Sequence, residues 1–415
     1  EVEGGTDTDK TKFYTGLYHA LLGRGAASDA DGTYVTHDGQ IAKIECDADG
    51  KPLYLHHNTD GMWGAFWNLT QLWTLAYPEV FESYVRSTLD FSRHTGGWLH
   101  DGEAAGVYTN GVQTNFQGLI AVSAYNAGVW DDPDYLWKIV RQNELGYENR
   151  PDGAGRYDNG EFVKRGYVPL HNYILPNGWV TNFGASHTLE YCFAAYAASQ
   201  LAESLGKKED AELLKRYAEG YCLLFDKETG YIRPREESGE FMKDFDPMKA
   251  WLGFQEGNAA QYTWYVPHDV AGLISLIGKD EFNRRLEKTF KVASETLYGG
   301  KPDEFDSFSG VEQLYNHGNQ PCLHNPWLFN YSGKPWLTQY YTRDICNVFY
   351  GTEPTHGYGY GQDEDQGQLG AWYVLAAMGL FDVQGGTNKH PTMQIGSPLF
   401  DKVKIHLNKK YYPGE

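Results

Sequence analysis

Two short segments of this 415-residue chain hold carboxylates in settings suited to acid–base chemistry. Glu256 is the one charged residue of Phe254-Gln-Glu-Gly-Asn-Ala-Ala-Gln-Tyr-Thr-Trp264. A carboxyl group among Phe, Tyr and Trp rings is poorly solvated, which raises its pKa and keeps it protonated, as a general acid requires. The plainer reading is a glutamate at a helix start, and both readings fit the segment taken alone. The second segment is Asp363-Glu364-Asp365, directly before a helix predicted over 366–378. Asp365 stands where an N-cap belongs, and the trio suits the positive end of the helix dipole. Three consecutive acids also repel one another, a cost that capping does not require. In an extended loop Asp363 and Asp365 point the same way, so that together they hold and deprotonate one water. One isolated acid and one basic cluster, with water fitted between them, is the arrangement of an inverting glycoside hydrolase.

Other residue groupings point elsewhere less well. His56 and His57 are adjacent and diverge in a strand; His317 and His324 are seven apart. Neither pair makes a mononuclear metal site by itself. Gly357-Tyr-Gly-Tyr-Gly361 has the glycines of a phosphate loop but runs into three carboxylates, which repel phosphate. Asp29-Ala-Asp-Gly32 and Asp47-Ala-Asp-Gly50 begin like calcium loops, yet no closing glutamate follows, and they read as turns of small hairpins. The five cysteines form no CxxC pair and no zinc-finger spacing, and Cys192 and Cys222 fall in helical apolar patterns where a buried thiol is expected.

The elements that must position these groups are mostly helices. The residues Leu189, Phe193, Tyr196, Ala197 and Leu201 recur at helical spacing over 188–205, and a charged joint at 206–210 leads into a second stripe over 210–226. Asp132-Pro133 opens a further helix as N-cap and first residue. Similar patterns cover 81–91, 112–128, 282–293, 335–350 and 366–378, about a dozen helices in all. No repeat of fixed period marks a solenoid. Helices paired as hairpins in one unit predict a mainly α fold, an (α/α)6 toroid (six-hairpin barrel) with short β hairpins and inner helices more apolar than outer ones. The stretch 400–407 alternates like a strand, and its partner strand is expected outside the segment, so the chain reads as part of a longer protein. The expected division is 1–381 as toroid and 382–415 as the start of a C-terminal β-sandwich domain.

Composition narrows the partners. The chain has 55 Asp and Glu against 35 Lys and Arg, a net charge of −20, which opposes nucleic acid and anionic membranes. The longest uncharged apolar run, 371–381, is half a bilayer span, so no membrane span is expected. With 12 Trp, 31 Tyr and 20 Phe, aromatic residues make up 15% of the chain, most of them core and some available to stack on sugars.

At the two carboxylate segments the sequence resembles glycoside hydrolase family 92, the calcium-dependent exo-α-mannosidases. The matching stretches run in family order: Phe13-Tyr-Thr-Gly-Leu-Tyr-His19, Thr188-Leu-Glu-Tyr191, Gly230-Tyr-Ile-Arg-Pro-Arg235, Phe245-Asp-Pro247 and Glu256-Gly-Asn258 through Gln261-Tyr-Thr-Trp264. They continue with Val266-Pro-His-Asp269, His317-Gly-Asn319, Asn330-Tyr331, Pro335-Trp336, Asp363-Glu-Asp365, Ala371-Trp-Tyr-Val374 and Ile395-Gly-Ser-Pro-Leu-Phe400. The resemblance implies an inverting exo-acting enzyme that cleaves terminal α-linked sugars from oligosaccharides or glycans. It maps the general acid to Glu256 and the water-activating pair to Asp363 and Asp365, and it places Trp63, Trp67, Trp264, His317, Asn319 and Gln320 around the sugar. It also implies a calcium ion, whose ligands it does not assign, a preceding β-sandwich domain packed on the toroid, and a secreted or periplasmic location.

The departures bear on the sugar. The family's Trp-Asp-Thr-Phe-Arg is Trp63-Gly-Ala-Phe-Trp67 here, its glutamate after His-Gly-Asn is Gln320, and its Asp-Asp pair after Leu-Glu-Tyr is Ala194-Ala195. Each lost charge removes a charge-assisted hydrogen bond worth about 1.5–3 kcal/mol. Glycoside cleavage is expected because the acid and base are retained. The alternatives are an α-glycosidase for a sugar other than mannose and a non-catalytic carbohydrate-binding relic. A polysaccharide lyase on the same toroid needs basic residues to receive an acidic polymer, against which the −20 charge stands.

Overall fold

A computed structural model describes residues 1–414 except 24, 60, 105–106, 110–111, 131, 176–177, 302–305, 307 and 354–363. Asp363 and the glycines at 357–361 lie outside the described residues.

Fourteen α-helices are assigned among the described residues. In chain order they are α1 Asp7–Leu22, α2 Leu69–Ala76, α3 Pro78–Ser92, α4 Gln117–Asn126, α5 Pro133–Leu145, α6 Asn159–Arg165 and α7 Gly184–Ser204. There follow α8 Lys208–Ala218, α9 Tyr221–Leu224, α10 Ala259–Tyr262, α11 Val270–Ile277, α12 Lys279–Glu295, α13 Pro335–Val348 and α14 Gln368–Met378. Inner segments pair with outer helices: α2 with α3, α4 with α5, α7 with α8, the 3-10 segment Asn325–Asn330 with α13, and α14 with α1, while α12 packs on α11 and α13. The chain is therefore mainly helical and forms an (α/α)6 toroid, as the hairpin pattern predicts.

Burial separates the two rings. In α7, 18 of 21 residues are buried, and in α14, 10 of 11; the outer α8 buries only Ala211, Leu214 and Ala218. A helix buried on all sides needs small residues where neighbours approach, and α7 supplies six alanines. The ring closes where α1 meets α14. A Cβ on Gly16 would stand 2.7 Å from the Gly370 carbonyl oxygen, so glycine at this crossing sets how close the first and last helices come. Beside it the buried Lys12 amine donates to the Cys346 carbonyl at the end of α13, 3.0 Å away, where the negative end of the helix dipole favours a cation.

Several predicted boundaries shift for identifiable reasons. The helix expected over 112–128 begins only at Gln117, because the Asp101 carboxylate accepts the Gln113 and Asn115 amides at 2.8 and 2.9 Å and draws that stretch into a loop. The stripe over 210–226 breaks into α8, α9 and a strand at Phe225–Asp226. The break falls at Gly220, which passes so close to Gly166 that a Cβ would lie 2.4 Å from its carbonyl oxygen. Asp132 caps α5 as expected, its side chain accepting the Tyr135 amide.

Among the described residues, six two-stranded antiparallel pairs decorate the ring. The Asp29–Gly32 segment is a turn leading into the hairpin Thr33–Val35 with Ile41–Lys43, in register Tyr34 to Ala42. Of the predicted strand over 400–407, Lys402–Val403 is extended, and its partner is Val2–Glu3 at the other end of the described chain. Segment 408–412 lies on the outside of α2 and α3, where Lys410 reaches Glu82 at 2.8 Å. All five cysteines are free; Cys192 is buried as expected, whereas Cys222 is exposed because its helical stripe ends there.

Candidate active site

The inner segments all begin at the same end of the ring, and the loops that lead into them meet there. Gln368, the first residue of α14, donates to the Gly61 carbonyl just before α2, and the Gln255 amide donates to Ser186 Oγ in α7 at 3.1 Å. Trp63 Nε1 crosses to Glu190 Oε1 in α7 at 3.1 Å. Helix N-termini carry unpaired N–H groups and partial positive charge, so their convergence makes this mouth a favourable place for carboxylates.

Glu256 lies in the loop before α10. It is half-buried and adopts φ 51°, a left-handed conformation uncommon for a residue with a side chain. The helix cap is its neighbour: Asn258 accepts the Gln261 amide at 3.0 Å while its own amide donates to the Val311 and Gln313 carbonyls. Glu256 is thus not the cap that the plainer reading of its segment supposed. The preceding Gln255 is held by the Ser186 hydroxyl on its amide and by the Tyr262 hydroxyl, 2.8 Å from its carbonyl.

Asp365 follows the same logic. Its φ is 56°, that of Gln366 is 54°, and Gly367 is the N-cap residue of α14. The amides left open by that start are taken by the middle acid, Glu364, whose two oxygens accept the Gly367 and Gly370 N–H groups at 2.6 and 2.9 Å. Capping by Glu364 explains one member of the acidic trio and leaves Asp365 turned to another partner. That partner is Gln320, whose amide nitrogen donates to Asp365 Oδ2.

One dipeptide joins the two carboxylate loops. Asn319 donates to the Glu256 carbonyl at 2.7 Å, and the next residue, Gln320, donates to the Asp365 carboxylate. Gly64 lies directly against Gln320: a Cβ there would stand 2.6 Å from Gln320 Cβ, and the glycine's φ is 72°. Both departures, Gly64 and Gln320, therefore lie in one contact.

A buried charged pair supports the acid loop from behind. His187 Nδ1 contacts Asp158 Oδ2 at 2.6 Å, Tyr191 donates to Asp158 Oδ1 at 2.6 Å, and His187 Nε2 faces Gln255 Oε1 at 3.4 Å. Burial opposes both charges, yet the pair's mutual attraction outweighs it, holding His187 above the ordinary histidine value and Asp158 below the ordinary carboxylate value. Arg156, buried beneath, pairs with Glu144 at 2.6 Å and faces the Tyr191 ring. Glu190, one residue before Tyr191, was quoted in the sequence only as part of a matching stretch. Burial pushes its carboxyl up to about 7, against the opposing influence of His187, Thr114 and Trp63. Its signal was available: it is the one acid in the fully buried run 184–195.

The remaining predicted residues divide. Trp63 lines a small cavity of about 60 Å³ together with Gly61, Met62, Asp101 and Phe116, while burial pushes Asp101 up to about 6. Trp67 has no exposed surface; its indole donates to the Val383 carbonyl at 2.7 Å and its ring stacks on His324. Trp264 is buried against Phe282 of the outer ring, and its carbonyl accepts from His324. His317 is enclosed by the Tyr315 and Tyr350 hydroxyls, and burial drives its pKa well below the ordinary value. The structure thus gathers Trp63, Glu256, Asn319, Gln320 and Asp365 at the mouth and sets Trp67, Trp264 and His317 in the packing around it. For calcium, among the described residues no group of three or more His, Cys, Asp or Glu side chains is placed to hold a metal ion.

Comparison with known proteins gives a consistent picture. The model of the glycosyl hydrolase family 92 catalytic domain matches residues 1–412. A family GH92 alpha-mannosidase from Bacteroides thetaiotaomicron superposes with a TM-score of 0.82 at 28% identity, covering 98% of this chain and 49% of that one. A family GH92 inverting mannosidase from the same species gives 0.81 at 28% identity, covering 99% and 54%. An uncharacterized secreted glycosidase of Arthroderma benhamiae is 24% identical over 365 residues, 80% of this chain and 43% of the relative. The chain therefore spans about half the length of the relatives it matches.

Glu190 makes stability depend on pH in a defined direction. Its folded pKa lies above the unfolded value, so between about pH 4.5 and 7 the folded chain holds a proton that the unfolded chain releases. Its contribution is complete at low pH, falls as pH rises and levels off above about 7. Glu190→Gln removes that slope. Unfolding measured from pH 4.5 to 8 should show the variant gaining on the parent by roughly 3 kcal/mol across the range; a constant difference would exclude the shift.

Proposed function

The chain belongs to glycosyl hydrolase family 92, and from that membership we propose that it is an inverting, exo-acting glycosidase whose substrates are glycans ending in α-linked mannose. The observation that carries the reading is the Asn319–Gln320 link between the Glu256 and Asp365 loops. It ties the loop of the proposed acid and the carboxylate of the proposed base to two neighbouring residues through two different side chains. A displacement by water needs both groups held, because the nucleophile must fit between base and anomeric carbon while the acid faces the leaving oxygen.

Glu256 donates a proton to the glycosidic oxygen as the bond breaks. Asp365, with Asp363, takes a proton from the attacking water. Gln320 serves the base by donating to it: an amide N–H favours the ionised carboxylate, whereas the glutamate found in the family would repel it. The Asp158–His187 pair and the Ser186 and Tyr262 hydroxyls hold the acid loop, so proton transfer starts from a fixed position. Mannose is taken from the related mannosidases. The paired change at Gly64 and Gln320 favours, as a second reading, a different terminal sugar. Calcium is proposed from family membership alone, and no step is routed through it. Secretion is proposed from the Arthroderma relative; among the described residues no helix is long and apolar enough to cross a membrane.

Four measurements test this. Glu256→Gln should lower kcat/KM on an α-linked mannobiose by about 10²–10⁴ and far less on an aryl mannoside with a good leaving group; equal losses would remove Glu256 as the acid. The first product seen by NMR should be the β anomer, and an initial α anomer would refute inversion. Gln320→Glu places a second negative charge on Asp365 and raises its pKa, so the acid limb of the kcat/KM profile should move upward by about one pH unit. An unmoved limb would mean that Asp365 is not the base. EGTA should lower activity and added calcium restore it, and indifference to both would take calcium out of the reading.

A further inference from the structure

The loop that carries Glu256 also displays an aromatic surface to solvent. It starts at Trp251, whose amide donates to the Gly257 carbonyl at 3.0 Å, so the segment 251–257 closes on itself around the candidate acid. Trp251, Gly253 and Glu256 all have positive φ, of 67°, 84° and 51°. A bulky residue adopts that conformation only where its surroundings over-determine it. The pinning is visible: the Ala185 and Ser186 amides both donate to the Gly253 carbonyl, and a Cβ on Gly253 would meet Pro234 at 2.4 Å.

This strained loop leaves part of its largest side chain open to solvent. The Trp251 ring is 39% exposed, and the ring it meets edge-on at 5.4 Å, Phe308, is 50% exposed. Phe183, half-buried, completes a row 6.1 Å from Trp251 and stands 6.0 Å from His187, which faces Gln255. Three touching rings beside one polar loop are a contiguous apolar face, and contiguous exposed apolar faces mark binding sites. The rings predicted to meet sugar, Trp67 and Trp264, are buried, so an aromatic sugar contact on this side of the mouth falls to this row.

We propose that Trp251 and Phe308, backed by Phe183, form a stacking platform for the sugar on the leaving-group side of the scissile bond. The inference rests on Glu256 being the general acid. An acid must touch the glycosidic oxygen, so the sugar that departs with that oxygen lies on the acid's side of the bond, beside the loop that carries it. The carbon–hydrogen face of a pyranose is flat and apolar and matches an exposed ring, while its hydroxyls stay in water. The platform makes the protein discriminate by what the terminal sugar is attached to: a second sugar is held, and a methyl group, too small to cover the rings, is not.

The test uses the whole chain and two substrates with the same terminal α-sugar, an oligosaccharide and a methyl glycoside. In Trp251→Ala and, separately, Phe308→Ala, the ratio of kcat/KM on the oligosaccharide to that on the methyl glycoside should fall about tenfold, mainly through KM. Trp251→Phe should recover most of it. Alanine preserves the Trp251 backbone hydrogen bond, and Phe308 lies at the surface, so the two variants do not share one route to misfolding. Parallel losses on both substrates, or no loss on either, would overturn the platform and mark the rings as packing. If the parent protein cleaves neither substrate, the acid assignment has failed instead. Calorimetric binding of the oligosaccharide then decides: about tenfold weaker binding in Trp251→Ala supports the platform, and equal affinity overturns it.

Discussion

Two neighbouring amide side chains hold the site together. Asn319 and Gln320 each donate one hydrogen bond, the first to the loop of Glu256 and the second to the carboxylate of Asp365. Both loops have left-handed backbones, a conformation that costs about 1–3 kcal/mol per residue unless neighbours enforce it. The amide pair supplies part of that enforcement, and so do the caps. In each loop a different residue satisfies the helix start, Asn258 in one and Glu364 in the other. Each assignment keeps the adjacent carboxylate out of the capping role. The two carboxylates and the helix ends are therefore held by separate partners.

Those loops meet because of the ring. Inner segments with their N-terminal ends at one rim bring loops from residues 61, 113, 186, 256, 320 and 365 into a single mouth. Burial makes the arrangement stiff: α7 and α14 have almost no exposed residue, and the Gly16–Gly370 crossing closes the ring without a spacer. The same burial has an electrostatic consequence. Buried carboxyls on α7 and on the loop before Gly102, Glu190 and Asp101, are pushed up to about 7 and about 6, whereas Asp158 stays ionised because His187 is 2.6 Å away. Position relative to one histidine thus decides which buried acid is charged near neutral pH.

Divergence from the family pattern is also organised by contact. Gly64 and Gln320 touch, so the loss of an acid at one position and of a charge at the other is a single local change that leaves the Asp365 contact neutral and donating. Trp67, which stands where the family has arginine, is a core ring stacked on His324 and bonded to the Val383 carbonyl.

The helical periodicity of 188–205, the Asp132–Pro133 start and the isolation of Glu256 among aromatic residues were legible because each depends on neighbours within a few positions. The same reading placed Asp365 near a helix start but not its relation to Gln320, 45 residues away, and it valued His317, Trp67 and Trp264 as sugar contacts when packing encloses all three. It passed over Glu190, whose pKa is set by burial between helices and not by its own segment. It also assigned no role to Trp251, whose exposure is a property of the folded surface. The sequence by itself determined the helices, the acidic and aromatic inventory and the carboxylates suited to acid–base work. Only the tertiary structure decided which neighbour caps each helix, which rings face water and which acids keep their charge, because those outcomes depend on desolvation and on partners that the ring brings together from distant parts of the chain.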